Sequence, residues 1–421
     1  MRKLIALAFL GLLLYGAYEL FLFKPSVEGH ESLAALPRKK EVTLRVRNPD
    51  RAQKLRVVLL QDGKEFVLFE GKPAEEVKVK VEPKKLGLKE GKAEAVIELT
   101  RLFVLKDRVS VESVVDYTPP RVTLLFYPYA VINGGSGAVK VSVSEPSRLE
   151  LRVVDRVFPF YALNERVFFS LFAVPLELDE LSVKVVAVDG VGNASVLSVP
   201  VKLKKRRYPV YYIDLKKRKQ KLLVKLSTLL GEEVTEENFL EAFKKVNEEM
   251  RRENEAFLSE LGRRSEPRLY WKGRFLQMRN SKVISVFGEK RVYTYGGKYV
   301  SESYHWGYDL ASVKNAPVEA ANDGKVVFTG FLGIYGNTVV LDHGYGLTSV
   351  YAHLSDFKVK KGDEVKKGQI IGFTDETGLA FGDHLHFGVM VHGYPVNPIE
   401  WWDGRWIKNA ILPALQAKEE R

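Results

Sequence analysis

The histidines of this chain are few and unevenly placed. Seven occur in 421 residues, and five of those lie between His305 and His386. Four stand in short blocks: His305-Trp306-Gly307-Tyr308-Asp309, Tyr351-Ala352-His353-Leu354 and His384-Leu385-His386. A hydrolytic Zn2+ centre needs two or three neutral imidazoles, a carboxylate and an open coordination position, and these blocks supply that set. Residues i and i+2 of a strand share a face, so His384 and His386 project together while Leu385 points away. His305 and Asp309 are four apart, and an extended segment also puts them on one face. Four imidazoles and one carboxylate exceed a three-ligand site. The surplus histidines, titrating near pH ~6.5, are suited to proton transfer. Spacing alone leaves open which histidines bind metal. His343, in Leu341-Asp342-His343-Gly344, reads as a turn residue and His392 as a hairpin tip, and His30 has no partner motif. None of these three is assigned chemistry.

The sequence around the blocks is strand-like. Lys325-Val326-Val327-Phe328-Thr329 and Asn337-Thr338-Val339-Val340-Leu341 are rich in β-branched residues and bounded by glycines. Phe387-Gly388-Val389-Met390-Val391 continues the strand beyond the His384/His386 pair. Ligands carried on strands are held more tightly than ligands on loops.

Residues 287–398 resemble the catalytic domain of the M23 family of zinc metallopeptidases, the LytM and lysostaphin type. The likeness rests on many blocks in the family's order. They include Val286-Phe287-Gly288, the His305-to-Asp309 block, Ala320-Ala321-Asn322-Asp323-Gly324, Tyr335-Gly336-Asn337 and Tyr351-Ala352-His353-Leu354. They end with Gly382-Asp383-His384-Leu385-His386-Phe387 and Pro395-Val396-Asn397-Pro398. The resemblance implies that His305, Asp309 and His386 ligate zinc. It implies that His353 and His384 are the catalytic histidines, which orient or deprotonate water and stabilise the tetrahedral intermediate. It implies cleavage of peptide cross-links or stem peptides of bacterial peptidoglycan. Two positions depart from the family pattern: Asp383, where proline is frequent, and Gly388, where an acidic residue is common. Some relatives lack zinc ligands and activate other wall hydrolases. The alternative for this chain is therefore a non-catalytic wall-binding factor that activates another hydrolase or scaffolds an envelope assembly, and retention of all five positions argues against it. Val359-Lys360-Lys361-Gly362-Asp363-Glu364 and Val365-Lys366-Lys367-Gly368-Gln369-Ile370 form a small repeat of the kind seen in lipoyl and biotinyl carriers. No Met-Lys-Met element accompanies it, so it reads as two scaffold turns.

The other end of the chain is apolar. Leu4 to Phe23 is long enough to span a bilayer core as a helix. Arg2 and Lys3 precede it and favour a cytoplasmic start. A cleavable signal peptide is the competing reading, but a small-x-small site is poorly matched and there is no cysteine for a lipid anchor. The chain is thus expected in the cytoplasmic or inner membrane, single-pass, with its catalytic domain facing the periplasm or cell wall. The fold expected is mainly β and multidomain. It comprises a transmembrane signal anchor at 1–24, a β-sandwich-like domain at 41–118 and an immunoglobulin-like β domain at 119–203. A helical segment follows at 210–265, then an antiparallel β metallopeptidase domain at 266–421. Asp62-Gly63 signals a hairpin and Pro119-Pro120 a boundary.

In the helical segment Thr235 is expected to cap a helix that Gly262 ends. Phe239, Leu240, Phe243, Val246, Met250, Phe257 and Leu261 recur there at helical spacing and read as a packing stripe. The formal net charge is +12. That favours anionic partners such as wall polymers or lipid headgroups. No nucleic-acid-binding motif is visible; the M23 resemblance implies peptidoglycan as a partner, and the apolar segment at Leu4 to Phe23 the membrane.

Overall fold

The computed structural model describes residues 24–102 and 104–416, together with Gly11. The Leu4–Phe23 segment read as an anchor lies, Gly11 apart, outside the described residues. Among the described residues no helix is long and apolar enough to cross a membrane. The protein is mainly β. It divides into two compact units, Met1–Arg121 with Glu145–Arg148 and Ala187–Ser195, and Val122–Ser144 with Leu149–Val186 and Val196–Arg421.

The first unit has a three-stranded and a five-stranded sheet. Strands Lys40–Arg47 and Glu76–Val81 pair antiparallel and alternate exposed with buried residues. Val42, Leu44, Val77 and Val79 thereby join one core with Leu55, Val57 and Ile97. Asp62 and Gly63 both have positive φ and close the hairpin between Lys54–Gln61 and Lys64–Gly71, the backbone that a two-residue turn needs to match strand twist.

In the second unit Tyr161–Ala162, Val167–Ala173, Ser136–Val143 and Val122–Phe126 form a four-stranded sheet in that order. The larger element is a ten-stranded sheet. Its main order is Lys282–Ser285, Tyr308–Ala311, Leu385–Val391, Leu347–Phe357, Asn337–Gly344, Gly324–Phe331 and Glu364–Val365. Pro317–Glu319, Ile370–Thr374 and Tyr394–Val396 pair off this path. A smaller sheet joins Val210–Asp214, Lys290–Tyr295 and Lys298–Tyr304.

Helices Lys219–Leu230, Phe239–Lys244 and Arg251–Arg263, with a π-helical turn at Lys245–Met250, pack on the large sheet. Phe239, Phe243 and Val246 are buried in one cluster with Val340, Val350, Ala352 and Met390. Burying each such apolar side chain contributes roughly 1.5–3 kcal/mol, so the stripe is a packing face. Its edges differ from the helical reading, because Leu240 and Phe257 are exposed at 36% and 37%. The helix ends differ as well. Asn238, not Thr235, stands at the N-cap, and its Oδ1 accepts from Thr235 N at 2.8 Å. Gly262 lies inside Arg251–Arg263 rather than ending it. A Cβ there would lie 2.7 Å from Gly393 N. The glycine is thus required by close backbone approach, not by a helix stop.

Candidate active site

Register brings the expected residues together. Asp309 on Tyr308–Ala311 stands opposite His386 on Leu385–Val391, and Ala352 on Leu347–Phe357 stands opposite His386 on its other side. His305 and Asp309 do not share one extended segment. His305 follows strand Lys298–Tyr304, and a turn through Trp306-Gly307 leads into Tyr308–Ala311. Gly307 permits that turn, since a Cβ there would sit 2.5 Å from Phe387 O and 2.7 Å from the His386 ring.

His353 lies just beyond Ala352, so strand alternation alone would turn it away from His386. Its φ of 62° breaks the alternation. There the strand leaves Leu385–Val391 and takes up pairing with Ile370–Thr374. The His353 and His384 rings end 4.9 Å apart, and the His353 and His386 rings 5.9 Å apart. All five side chains are buried.

Backbone carbonyls fix the histidine tautomers, because a carbonyl only accepts. His305 Nδ1–H donates to Val286 O at 2.9 Å. His353 Nδ1–H donates to Thr377 O, and His384 Nδ1–H to Gly382 O, each at 2.8 Å. In its neutral form each of these rings presents an unprotonated Nε2. His305 Nε2, Asp309 Oδ1 and His386 Nδ1 converge at 3.0 Å from one another. With His305 neutral, its Nε2 and Asp309 Oδ1 would be two acceptors facing each other, a contact that a shared cation relieves. Tetrahedral zinc with ligands at ~2.0 Å has edges of about 3.3 Å. The three-residue group fits such an ion.

The electrostatics agree. Burial pushes the Asp309 carboxyl up, but the charge and hydrogen bonds of His305 and His386 outweigh it and hold Asp309 well below the usual carboxylate range. Burial is the first cause that lowers His386 to about 4. His353 is also driven well below its ordinary value, first by burial and then by His384 and His386. Neutral imidazoles are what metal binding and proton acceptance require.

The cluster opens into a cavity of about 350 Å³. Leu215, Leu222, Phe243 and Arg251 of the helical segment line one side, and Ile284 and Phe381 line others. Arg218 lies over the Phe381 ring, 5.6 Å from its centroid, and Lys225 Nζ donates to Glu376 O. The helical segment is a wall of the groove.

The family model for Peptidase family M23 matches residues 303–398. The chain carries an M23 peptidase domain. Over 95 residues it is 43% identical to DD-carboxypeptidase/endopeptidase Mpg of Neisseria gonorrhoeae, covering 23% of this chain and 22% of that protein. Over 96 residues it is 43% identical to peptidoglycan DD-endopeptidase ShyA of Vibrio cholerae, covering 23% of this chain and 22% of that one. The matched segment thus spans under a quarter of these relatives. The catalytic domain of the antimicrobial peptidase lysostaphin from Staphylococcus simulans is 32% identical, covers 31% of this chain and 98% of that chain, and superposes with a TM-score of 0.27.

Within the M23 domain the two departures from the family pattern have local explanations. Asp383 Oδ2 accepts from Asn315 N at 2.8 Å and its Oδ1 from Thr374 Oγ1, tying down the loop that presents His384. Gly388 stands at a narrow point, where a Cβ would lie 3.3 Å from Trp306 O. His343 is not a turn residue. It lies in strand Asn337–Gly344, fully buried, with Nδ1 2.7 Å from Asp323 O and Nε2 2.7 Å from Ser349 Oγ. His392 does sit at a hairpin tip with positive φ, but it is buried and stacks on Tyr161. Residues that spacing does not single out surround the His305, Asp309 and His386 cluster. Ser285 Oγ lies 3.0 Å from His305 Nδ1, and Arg291 and Glu289 lie behind Asp309. A Glu-Lys-Arg run in a chain rich in such residues carries no signal of burial.

Proposed function

We propose that this chain is a zinc-dependent endopeptidase that cleaves peptide cross-links or stem peptides of bacterial peptidoglycan. The observation that carries the reading is the convergence of His305 Nε2, Asp309 Oδ1 and His386 Nδ1 at 3.0 Å, beside two further imidazoles. His305, Asp309 and His386 would hold the zinc. A zinc ion there supplies Lewis acidity that polarises a scissile carbonyl and acidifies water. His353, neutral through burial and with its proton on Nδ1, accepts the proton of the attacking water at Nε2. His384 presents Nε2 3.6 Å from Asp309 Oδ1, on the same side as the ligands. From that atom it accepts a hydrogen bond from the attacking water and orients it, while His353 returns the proton it has taken to the leaving amine.

The names of the relatives favour a bond next to D-amino acids as the target. The reading also places the Leu4–Phe23 segment in the cytoplasmic membrane and the catalytic domain on its outer side, on the strength of the apolar run and the preceding Arg2 and Lys3. The test is mass spectrometry of muropeptides released from purified sacculi by the full chain in detergent, with and without a chelator. Chelator-sensitive appearance of products with a cut peptide cross-link or stem is expected. Zinc-loaded protein that releases none would replace the reading with that of a wall-binding activator.

A further inference from the structure

Arg291 stands directly behind the ligand cluster. It lies on strand Lys290–Tyr295, between Tyr211 of Val210–Asp214 and Ser303 of Lys298–Tyr304. Its Nε donates to Glu289 Oε1 at 2.8 Å and its Nη2 to Ser285 Oγ at 2.8 Å. The same Nη2 lies 3.6 Å from Asp309 Oδ2. Ser285 Oγ in turn lies 3.0 Å from His305 Nδ1. One guanidinium therefore reaches the rear of Asp309 directly and the rear of His305 through one hydroxyl.

The two oxygens of Asp309 are divided by this arrangement. Oδ1 faces His305 and His386, and Oδ2 faces Arg291. A planar fork of five donors can hold several acceptors at once, which an ammonium on a flexible stem does less well. Glu289 is buried and neutralises the guanidinium, so no uncompensated charge is left beside a cation site. Glu289 Oε2 also accepts from Val286 N at 3.3 Å. Val286 is the residue whose carbonyl fixes His305 Nδ1–H. The Glu289–Arg291 pair thus touches the supports of both ligands.

We infer that Arg291, backed by Glu289, is a positioning residue for the metal ligands. It holds Asp309 to a single coordinating oxygen and steadies the His305 ring through Ser285. The inference rests on the metallopeptidase reading above and deepens it. Outer partners of metal ligands typically govern affinity by 10–100-fold.

The experiment measures zinc affinity of the full chain by competition with a chromogenic chelator, and the absorption spectrum of its cobalt-substituted form. Arg291→Gln is expected to weaken zinc binding by about 10–100-fold. Its cobalt spectrum should move toward a higher coordination number as Asp309 Oδ2 is released. Arg291→Lys should fall between Arg291→Gln and the unaltered chain. Ser285→Ala, which removes only the His305 arm, should weaken zinc binding by a smaller factor, and it keeps the inference testable should Arg291→Gln fail to fold. Unaltered affinity and an unaltered cobalt spectrum in folded variants would overturn the inference. So would a drop in melting temperature of the metal-free chain with unchanged zinc affinity, since that marks a merely structural ion pair. Asp309→Ala separates the two levels. Zinc bound by the unaltered chain and lost in Asp309→Ala upholds the metal site, whatever Arg291 does. Zinc uptake that is absent, or indifferent to Asp309→Ala, overturns the metallopeptidase reading and this inference with it.

Discussion

His353 holds a positive-φ backbone conformation, uncommon for residues other than glycine, with φ at 62°. Such a conformation costs on the order of 1–3 kcal/mol and persists where its surroundings enforce it. Here it brings an imidazole onto the face that regular alternation would deny it. Asparagine tolerates the same region. His353→Asn is therefore expected to fold with near-unaltered melting temperature while turnover falls by about 10²–10⁴, the usual contribution of a general base. Turnover of sacculi and a thermal melt on one preparation check this, and full activity would remove His353 from the mechanism. His386→Ala and Asp309→Ala should lose zinc and activity together, whereas His384→Ala should lose activity and keep zinc, as read by metal analysis of the purified variants. Residue types and spacings make these five positions legible in the sequence. The supports behind them are not legible there. Ser285, Glu289 and Arg291 resemble ordinary surface polars until the fold buries Glu289 and half-buries the other two. His343 reads as a turn because Asp342 and Gly344 are turn formers, yet the strand continues through them and the imidazole bonds Ser349 inside.

At the scale of elements, patterning identifies strands and the helical segment, but the positions where backbones touch are invisible to it. Gly262 is the clearest case. Its place near the end of an apolar stripe suggests a helix stop, while the structure shows a helix crossing the Gly393 turn at backbone contact. Gly262→Ala should raise helix propensity yet destabilise the protein by about 1–3 kcal/mol, because the added methyl meets Gly393 and cannot be relieved by a rotamer change. Denaturant unfolding gives the sign directly, and stabilisation would show that the contact relaxes. The same helical segment forms one wall of the groove and is fastened to the opposite rim by Arg218 over Phe381 and by Lys225 on Glu376 O. These contacts are solvent-side and few, so they are weak relative to the buried Phe239–Phe243–Val246 face. The double variant Arg218→Ala/Lys225→Ala is expected to raise cleavage of cross-linked sacculi several-fold, with little change for a short peptide that enters without opening the rim. Equal rates on sacculi would mean that the wall is fixed and the groove is already open to its substrate.

At the scale of the whole chain, the net charge of +12 concerns association with anionic partners rather than the fold. The pH dependence of stability is governed instead by buried groups that titrate far from their ordinary range. Glu400 is buried, with Oε2 accepting from Ser136 N at 2.8 Å and Ser136 Oγ at 3.1 Å, and burial pushes its carboxyl up from 4.5 to about 8. Between those values the folded chain keeps a proton that the unfolded chain has released. Stability from this group therefore falls as pH rises from about 4.5 to about 8. His343 acts in the opposite direction. Burial lowers it from 6.5 to about 4, so stability is lost as pH falls through that window, where the unfolded chain binds the proton first. Glu400→Gln keeps the shape and the acceptor for Ser136 but cannot ionise. It should leave in place the acid limb to which His343 and the other buried histidines contribute, and flatten the alkaline limb. The gain at pH 8–9 over the unaltered chain should be on the order of a few kcal/mol, since each tenfold difference in proton affinity between the folded and unfolded chain is worth about 1.4 kcal/mol. Thermal melts from pH 4 to pH 9 on both proteins measure it. Parallel profiles would show that Glu400 is already ionised in the fold, with its charge carried by the Ser136 hydrogen bonds alone.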